Sequence, residues 1–160
     1  MSKSENETGG KKPSWQVVFV LIIIALAIGL KLYSYYWPKA EIKVSGELLK
    51  VLVAKDYKHL VKGLSGRKDL GGYDGMLFVF GNSSQHTMVM RDMEFSIDII
   101  WIDKGQIVDI APSVPVEPGK TEGEYFPYLA RSASSHVLEV PAGTAVRQGW
   151  KIGDKVDFYP

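Results

Sequence analysis

Charged residues stand inside an apolar stretch near the middle of the chain. Residues 87–103 read TMVMRDMEFSIDIIWID, in which Arg91, Asp92 and Asp98 have apolar neighbours. If the second half of this stretch is a strand, alternate side chains share a face, and Asp98 lies on the same face as Ile100. A carboxylate buried on such a face is costly unless it accepts hydrogen bonds or pairs with a cation. The pattern therefore indicates either a polar binding site or a structural ion pair.

Arg67 is a candidate partner for Asp98, because a guanidinium group can bind a carboxylate through two parallel hydrogen bonds. Two interpretations of this pair stay open. In the first, Arg67 or Arg91 holds an anionic ligand in a polar pocket. In the second, the pair is structural and fixes the loop that follows a short helix.

The three histidines do not indicate a metal site. His59, His86 and His136 lack the helical spacing of a motif such as H-E-x-x-H. The chain also has no cysteine, which excludes cysteine metal ligands, disulfide bonds and a thiol nucleophile. We therefore expect no metal and no cofactor.

Serines and glycines elsewhere are better interpreted as loop residues than as catalytic or phosphate-binding motifs. Ser134 and Ser135 precede His136, but the sequence has no G-x-S-x-G elbow. The glycines between residues 63 and 72 lack the spacing of a phosphate-binding loop. These patterns leave the catalytic residues, if there are any, unknown.

Length and charge restrict the remaining classes of function. The chain has 160 residues, enough for one domain and an appendage. Its 19 lysines and arginines against 18 aspartates and glutamates give a formal net charge of +1. This balance offers no electrostatic reason to expect nucleic acid as a partner.

The appendage is predicted to be an N-terminal membrane segment preceded by a polar tail. Residues 1–14 are polar and predict a disordered tail, whereas residues 17–30 carry no polar side chain. Aromatic residues flank this run, so residues 15–37 predict a transmembrane helix about 34 Å long. The partner of this segment is membrane lipid.

A cleaved signal peptide is the alternative, because an apolar run of this length also suits a signal core and residues 25–27 read Ala-Leu-Ala. The aromatic residues after Leu30 favour a retained anchor, since a cleaved signal needs none. Lys11 and Lys12 directly before the run favour an N-terminus inside the cell. We therefore expect a single-pass membrane protein whose C-terminal domain is extracytoplasmic.

Residues 38–160 form the remaining domain, in which short segments alternate with Gly, Pro and Asp. Residues 41–53 predict a bent strand or a hairpin. Residues 76–80 predict a central strand, because they are apolar on both faces. Residues 57–62 predict a short helix that begins after Asp56 as its N-cap.

The second half of this domain predicts more strands and one long loop. A hairpin connects strands at 97–102 and 107–111, with Gly105 as a residue of positive φ. Residues 112–135 predict a long irregular loop, a feature that is often functional in compact domains. The last predicted elements are a strand at 137–140, a helical turn at 144–148 and a closing strand at 156–159.

The predicted fold is mainly β (α+β): a small barrel- or sandwich-like domain with one or two short helices, preceded by one N-terminal transmembrane helix. Leu60, Val61 and Leu64 are expected to point inward from the first short helix.

Four segments, taken together in this order, resemble the domain of unknown function 192 (DUF192) family. They read KGLSGRKDL, GMLFVF, VMRDMEFSIDIIWID and HVLEVPAGTAVRQGWKIGDKV, and the resemblance covers residues 42–159. Arg67 falls on the first motif of the family. Val89 stands where Trp is usual in the third motif, and Ser96 where Pro is usual.

The third motif supplies most of the candidate ligand-binding residues, which are Arg67, Met90, Arg91, Asp92 and Asp98. The resemblance implies a compact β-rich domain that often follows a signal or anchor, and it implies no established activity.

Three functions remain open after this reading of the sequence. The first is a membrane-anchored, extracytoplasmic binding or accessory module for a small polar ligand or an envelope partner. It would use residues 87–98, Arg67 and the loop at 112–135. The second is a hydrolase or transferase in which Asp98 or Glu139 is the acid or base and Arg67 stabilises negative charge. The third is a structural subunit of a membrane complex.

Overall fold

The N-terminal helix and the β domain are separate compact units. The computed structural model describes residues 14–34 and 36–159, and the chain divides between Tyr36 and Trp37. Helix α1 (Trp15–Ser34) forms the first unit. Its apolar side chains are exposed, as Phe19 at 56% illustrates.

Helix α1 is shorter than the predicted transmembrane segment at residues 15–37. Within residues 14–34 and 36–159, no helix is both long enough and apolar enough to cross a membrane. Trp37, which the sequence assigns to the anchor, packs its ring against His59 of the second unit at 4.4 Å. Apart from Ser14, the predicted polar tail at 1–14 lies outside the described residues.

The second unit is built on a seven-stranded sheet in the order β6-β5-β8-β3-β2-β1-β9. The strands are β1 (Lys39–Val44), β2 (Glu47–Ala54), β3 (Gly75–Ser84), β4 (Thr87–Met88), β5 (Ile97–Asp103), β6 (Gln106–Val114), β7 (Tyr128–Leu129), β8 (Ser134–Pro141) and β9 (Val156–Tyr159). Neighbouring strands are antiparallel except β2 and β3, which are parallel. The short strands β4 and β7 pair separately.

The sheet curls into a half-barrel. Gln106 at the start of β6 forms a bridge with Lys155, just before β9, so the two edge strands approach each other. The hairpin between β5 and β6 turns at Lys104 and Gly105, both with positive φ, as a two-residue type I′ turn requires. The mainly β fold with few short helices, and the positive φ of Gly105, are therefore confirmed.

Both faces of the sheet are buried, which explains the strands that are apolar at every position. The inner core, on the concave face, contains Ile42, Val44, Leu49, Val51, Val53, Leu77, Ile100, Ile102, Ile107, Leu138, Val140, Ala145, Trp150 and Val156. The outer core contains Leu52, Ala54, Leu64, Leu70, Met76, Phe78, Met88, Met90, Ile97, Ile99, Trp101, Val114, Ala130 and Val137. Strand β5 thus sends Ile100 inward and Ile99 outward, as its alternation predicts.

Two short helices and one long connection cover this sheet. Helix α2 (Tyr57–Lys62) begins after Asp56, whose side chain accepts a hydrogen bond from the His59 amide, as predicted. The inward direction predicted for Val61 is wrong, because its side chain is 48% exposed. The irregular loop is shorter than predicted, since β6 extends to Val114, β7 interrupts the loop and β8 begins at Ser134.

Asp98 connects three elements of the domain through backbone hydrogen bonds. Its carboxyl group is fully buried and accepts hydrogen bonds from the amides of Ser113 (2.7 Å), Gly143 (2.9 Å) and Ala145 (2.8 Å). Helix α3 (Thr144–Gln148) begins after Gly143, which has no side chain to cap it. Asp98 therefore caps α3 from a neighbouring strand and also binds the β6 backbone beside a register shift.

We expect Asp98→Ala to destabilise the domain by about 3 kcal/mol, because the buried amide of Ala145 and the partly buried amides of Ser113 and Gly143 lose their acceptor. Asp98→Asn should cost less, since one acceptor oxygen remains, but still about 2 kcal/mol because its amide faces an N–H donor. Urea unfolding of the full chain, followed by the fluorescence of the buried Trp101 and Trp150, measures both values.

Asp157→Asn is the matched control for these two variants, because Asp157 lies on the surface and pairs with Lys155. It should change the free energy of unfolding by less than about 1 kcal/mol. An Asp98→Ala chain as stable as this control would show that the three hydrogen bonds do not hold the fold.

Candidate functional site

A cavity of about 210 Å³ opens on the outer face of the sheet. One wall is α2 and the turn after it, and the other wall is the segment from Thr87 to Met93. Phe78, Phe80 and Glu139 belong to β3 and β8, so these strands form the floor. The lining is mostly apolar, which suits the body of a small organic molecule.

The two walls are connected by hydrogen bonds to backbone atoms. The hydroxyl of Ser65 donates to the carbonyl of Arg91 at 2.7 Å, and the amide of Gly66 donates to the carbonyl of Asp92 at 2.8 Å. Asp92 itself has a positive φ of 48°, a conformation that non-glycine residues seldom adopt. The cavity is therefore preformed between two segments that fix each other's backbone.

Glu139 is a buried carboxyl group at the floor of the cavity. Its residue is 4% exposed, and its Oε2 atom has no hydrogen-bond partner among the described residues. Glu139 lies opposite Met76 of β3 and Ile99 of β5, both in the outer core, which places it on the outer face. Burial raises the pKa of Glu139 to about 8, so its carboxyl group is mainly protonated at neutral pH.

Arg91 lies at the mouth of the cavity, and its guanidinium group is already occupied. It donates to both carboxylate oxygens of Glu122, at 2.7 and 2.5 Å, and to the carbonyl of Val61 at 3.3 Å. The hydrogen bonds to Glu122 raise the pKa of Arg91. Arg91 therefore connects α2 to the connection between β6 and β7, beside the cavity.

The same connection also contacts Asp92. The hydroxyl of Tyr125 lies 3.4 Å from both the amide nitrogen and the Oδ1 atom of Asp92. Segment 87–98 and the loop at 115–133 therefore adjoin each other, as in the predicted binding surface. Ligand binding by that surface remains a prediction.

The predicted pairing of Arg67 with Asp98 is wrong. Asp98 accepts its three hydrogen bonds from backbone amides. The guanidinium carbon of Arg67 lies 4.9 Å from the centre of the Trp37 ring, in a cation–π arrangement. The strand pattern located a buried carboxyl correctly, but it could not show that main-chain donors would satisfy it.

The five predicted ligand-binding residues therefore occupy different places. Arg91 lines the cavity, and Asp92 is its neighbour on the outer side. Met90 is 1% exposed in the outer core, whereas Asp98 and Arg67 have the structural contacts just described.

The sequence predicts Glu139, at the floor of the cavity, only as an alternative acid or base. Its signal was available, because VLEV in β8 places one charged residue in an apolar strand, like Asp98 in β5. The sequence does not show which of these two carboxyl groups receives hydrogen bonds from backbone amides, so it does not distinguish their roles. Among the described residues, no group of three His, Cys, Asp or Glu side chains could hold a metal ion.

A third buried acid, Asp109, is fully paired. The guanidinium group and the amide of Arg131 donate to its carboxylate, with the shortest distances at 2.5 and 2.7 Å. The pKa of Asp109 is lowered; burial opposes this shift, and the hydrogen bonds from Arg131 outweigh it. This pair attaches the segment after β7 to β6. Both oxygens of the Asp109 carboxylate accept hydrogen bonds from Arg131, so neither is left for a ligand.

Comparison with known proteins relates the domain to two solved structures. The model of the DUF192 family, described as "Uncharacterized ACR", matches residues 40–158. A Sinorhizobium meliloti 1021 protein, provisionally assigned as a transcription regulator, is 26% identical with a TM-score of 0.67, over 76% of this chain and 95% of that one. A protein of unknown function from Novosphingobium aromaticivorans DSM 12444 is 27% identical with a TM-score of 0.64, over 76% and 84%. No match was found among curated proteins.

The raised pKa of Glu139 predicts a specific pH dependence of stability. The folded chain keeps a proton that the unfolded chain releases between about pH 4.5 and pH 8, so stability falls as pH rises through this window. At about 1.4 kcal/mol per pKa unit, the loss is at most about 5 kcal/mol. Glu139→Gln removes this titration, and urea unfolding at pH 5, 6.5 and 8 compares the two chains.

We expect the wild-type chain to lose stability relative to Glu139→Gln at each step of that pH series. Unfolding free energies that stay parallel from pH 5 to pH 8 would contradict a buried, protonated Glu139.

Proposed function

Because the chain belongs to the DUF192 family over residues 40–158, a family that brings no assigned activity, we propose its function from the cavity itself. The domain is a binding module for a small organic molecule with a polar group, and α1 tethers it to a membrane. The observation that carries the proposal is the preformed, mostly apolar cavity with the unpartnered carboxyl group of Glu139 at its floor. Such a combination of an apolar lining and few polar atoms is typical of ligand sites.

The cavity supports binding better than catalysis. A hydrolase or transferase that used Asp98 would need a free carboxyl, but all of the hydrogen bonds of Asp98 serve the backbone. Arg67, the proposed stabiliser of negative charge, stacks on Trp37. Glu139 remains as an acid, but burial is the cause of its pKa shift and no neighbouring cation contributes to that shift. It therefore lacks the charged partner that would prepare it for acid–base catalysis.

The tether is proposed from the composition of α1. Its 20 residues have a length of about 30 Å, and no charged residue occurs between Trp15 and Lys31. The apolar side chains around the helix are about half or more exposed, as Leu26 at 61% shows. Lipid is the environment that would cover them, and the domain would then meet ligands or envelope partners near the bilayer.

A structural subunit of a membrane complex is the second candidate. It is favoured by Phe126 and Leu129, which are 57% and 51% exposed on the connection around β7. Exposed apolar side chains of this kind suit a protein partner. The transcription role assigned to the solved relative is not carried over, because a net charge of +1 gives no electrostatic reason to expect nucleic acid.

The binding proposal can be tested with the methionine methyl groups, since Met88 and Met93 line the cavity. The full chain, labelled with methyl-13C methionine in phosphatidylcholine nanodiscs, is titrated with benzamide, benzylamine and benzoate. We expect at least one of the three to shift both methyl signals. Val89→Trp should abolish the shift because Val89 lines the cavity.

Val146→Trp is the matched control, because Val146 is 73% exposed on α3 and away from the cavity. It should leave the shifts unchanged. If no probe shifts Met88 and Met93, or if the shifts persist in Val89→Trp, the cavity is not the binding site.

The tether is tested by flotation of the full chain with phosphatidylcholine vesicles. We expect the wild-type chain to float and the double variant Ile23→Lys with Ala27→Lys to remain in the dense fraction, because each lysine in an apolar helix costs about 3 kcal/mol to insert. Tyr57→Lys with Val146→Lys adds the same charge at exposed sites of the domain and should float normally. Flotation of the Ile23 and Ala27 variant would contradict a tether formed by α1.

A further inference from the structure

The charge that the cavity accepts can be inferred from the groups at its floor and its mouth. At the floor, the Oε2 atom of Glu139 is buried without a partner. The side chains packed around it on β3 and β5 are apolar and carry no titratable group, as Met76, Phe78 and Ile99 show. The floor therefore offers one carboxyl group and no charge to compensate an ion.

The charged groups that surround the cavity lie at its mouth and are both cations. They are Lys62 from α2 and Arg91 from the segment before β5. Glu122 neutralises Arg91 through two hydrogen bonds to its guanidinium group. The titratable residue closest along β8, His136, pairs with Ile102 in the register and so faces away from Glu139.

We propose that the cavity binds an uncharged molecule whose apolar body contacts Phe78 and Met88 and whose oxygen acceptor receives a hydrogen bond from the Glu139 carboxyl group. This inference rests on the proposed function of the same cavity and specifies the chemical class of its ligand. The protonated carboxyl is a donor that the protein leaves unused, and an acceptor on the ligand would satisfy it.

Charged ligands fit this arrangement less well. A cationic amine would have to pass Lys62 and ionise a carboxyl group in apolar surroundings. An anion would lose its hydration and find no cation at the floor. Burying a charge without a partner has a large desolvation cost. A neutral amide, ketone or alcohol avoids both costs.

The three probes with a common ring decide between these charge classes at pH 6. Benzamide carries a neutral carbonyl acceptor, benzylamine a cation and benzoate an anion. In the full chain in phosphatidylcholine nanodiscs, we expect benzamide to shift the Met88 and Met93 signals at concentrations at least tenfold below those that the other two require. Tighter binding of benzylamine or benzoate would contradict the inference that the ligand is uncharged, but it would not contradict the proposed binding function.

Substitutions at Glu139 test the hydrogen bond itself. Glu139→Leu removes the donor and should weaken benzamide binding about tenfold, whereas Glu139→Gln keeps an N–H donor and should stay within about threefold of the wild type. Between pH 6 and pH 9, the wild-type affinity should fall as the carboxyl group ionises, and the Glu139→Gln affinity should stay constant. The Met76 and Met90 signals show that each variant is folded.

Benzamide affinity that is equal in Glu139→Leu and the wild type would overturn the role of Glu139. An absence of shifts with all three probes would instead contradict the proposed function, so the two failures are distinguishable.

Discussion

Three hydrogen bonds to one buried carboxyl group attach β6 and the start of α3 to β5. Asp98 lies on β5, between β6 and β8, and its side chain binds the Ser113 amide on one side and the start of α3 on the other. In the register between β5 and β8, Asp98 lies opposite Val140 and Ile99 lies opposite Glu139. The interaction that attaches α3 to β5 therefore also determines where β8 places the floor of the cavity.

Asp98 and Glu139 show how the same sequence signal can have opposite physical outcomes. Both are acidic residues in apolar strands, and both are almost completely buried. Asp98 lies near the ends of its neighbours, where a register shift and a helix N-terminus leave amide groups without partners. Glu139 lies in the middle of regular pairing, where neighbouring strands already use those amides. Backbone irregularity, and not residue type, decides which acid is satisfied.

Periodicity and turn chemistry made much of the fold predictable from the sequence. Local rules located α2 after Asp56 and the hairpin turn at Gly105, and α3 ends before Gly149, which adopts a left-handed conformation. They failed where distant segments determine the environment. Val61 looked like a core residue of α2 but borders the cavity, because the opposite wall comes from residues 87–93.

The site was less predictable than the fold for the same reason. Whether a guanidinium group meets a carboxylate depends on which loops adjoin, and Arg67 and Arg91 are on segments whose spatial neighbours are far away in sequence. Trp37 lies 30 positions before Arg67, and Glu122 lies 31 positions after Arg91. Spacing along the chain carries no information about such contacts, so the residue types near Asp98 do not identify its partners.

The cavity is costly for the fold. An open cavity of about 210 Å³ leaves its apolar lining without packing partners, and a buried unpartnered polar group costs about 1–3 kcal/mol. A leucine at position 139 would remove the second cost, and larger side chains at Val89 or Ser65 would reduce the first. Ser65 instead donates a hydrogen bond to the Arg91 carbonyl, which fixes the two walls to each other. Hydrogen bonds that keep an opening in place, above a carboxyl group without a partner, are the arrangement expected when a ligand supplies the missing contacts.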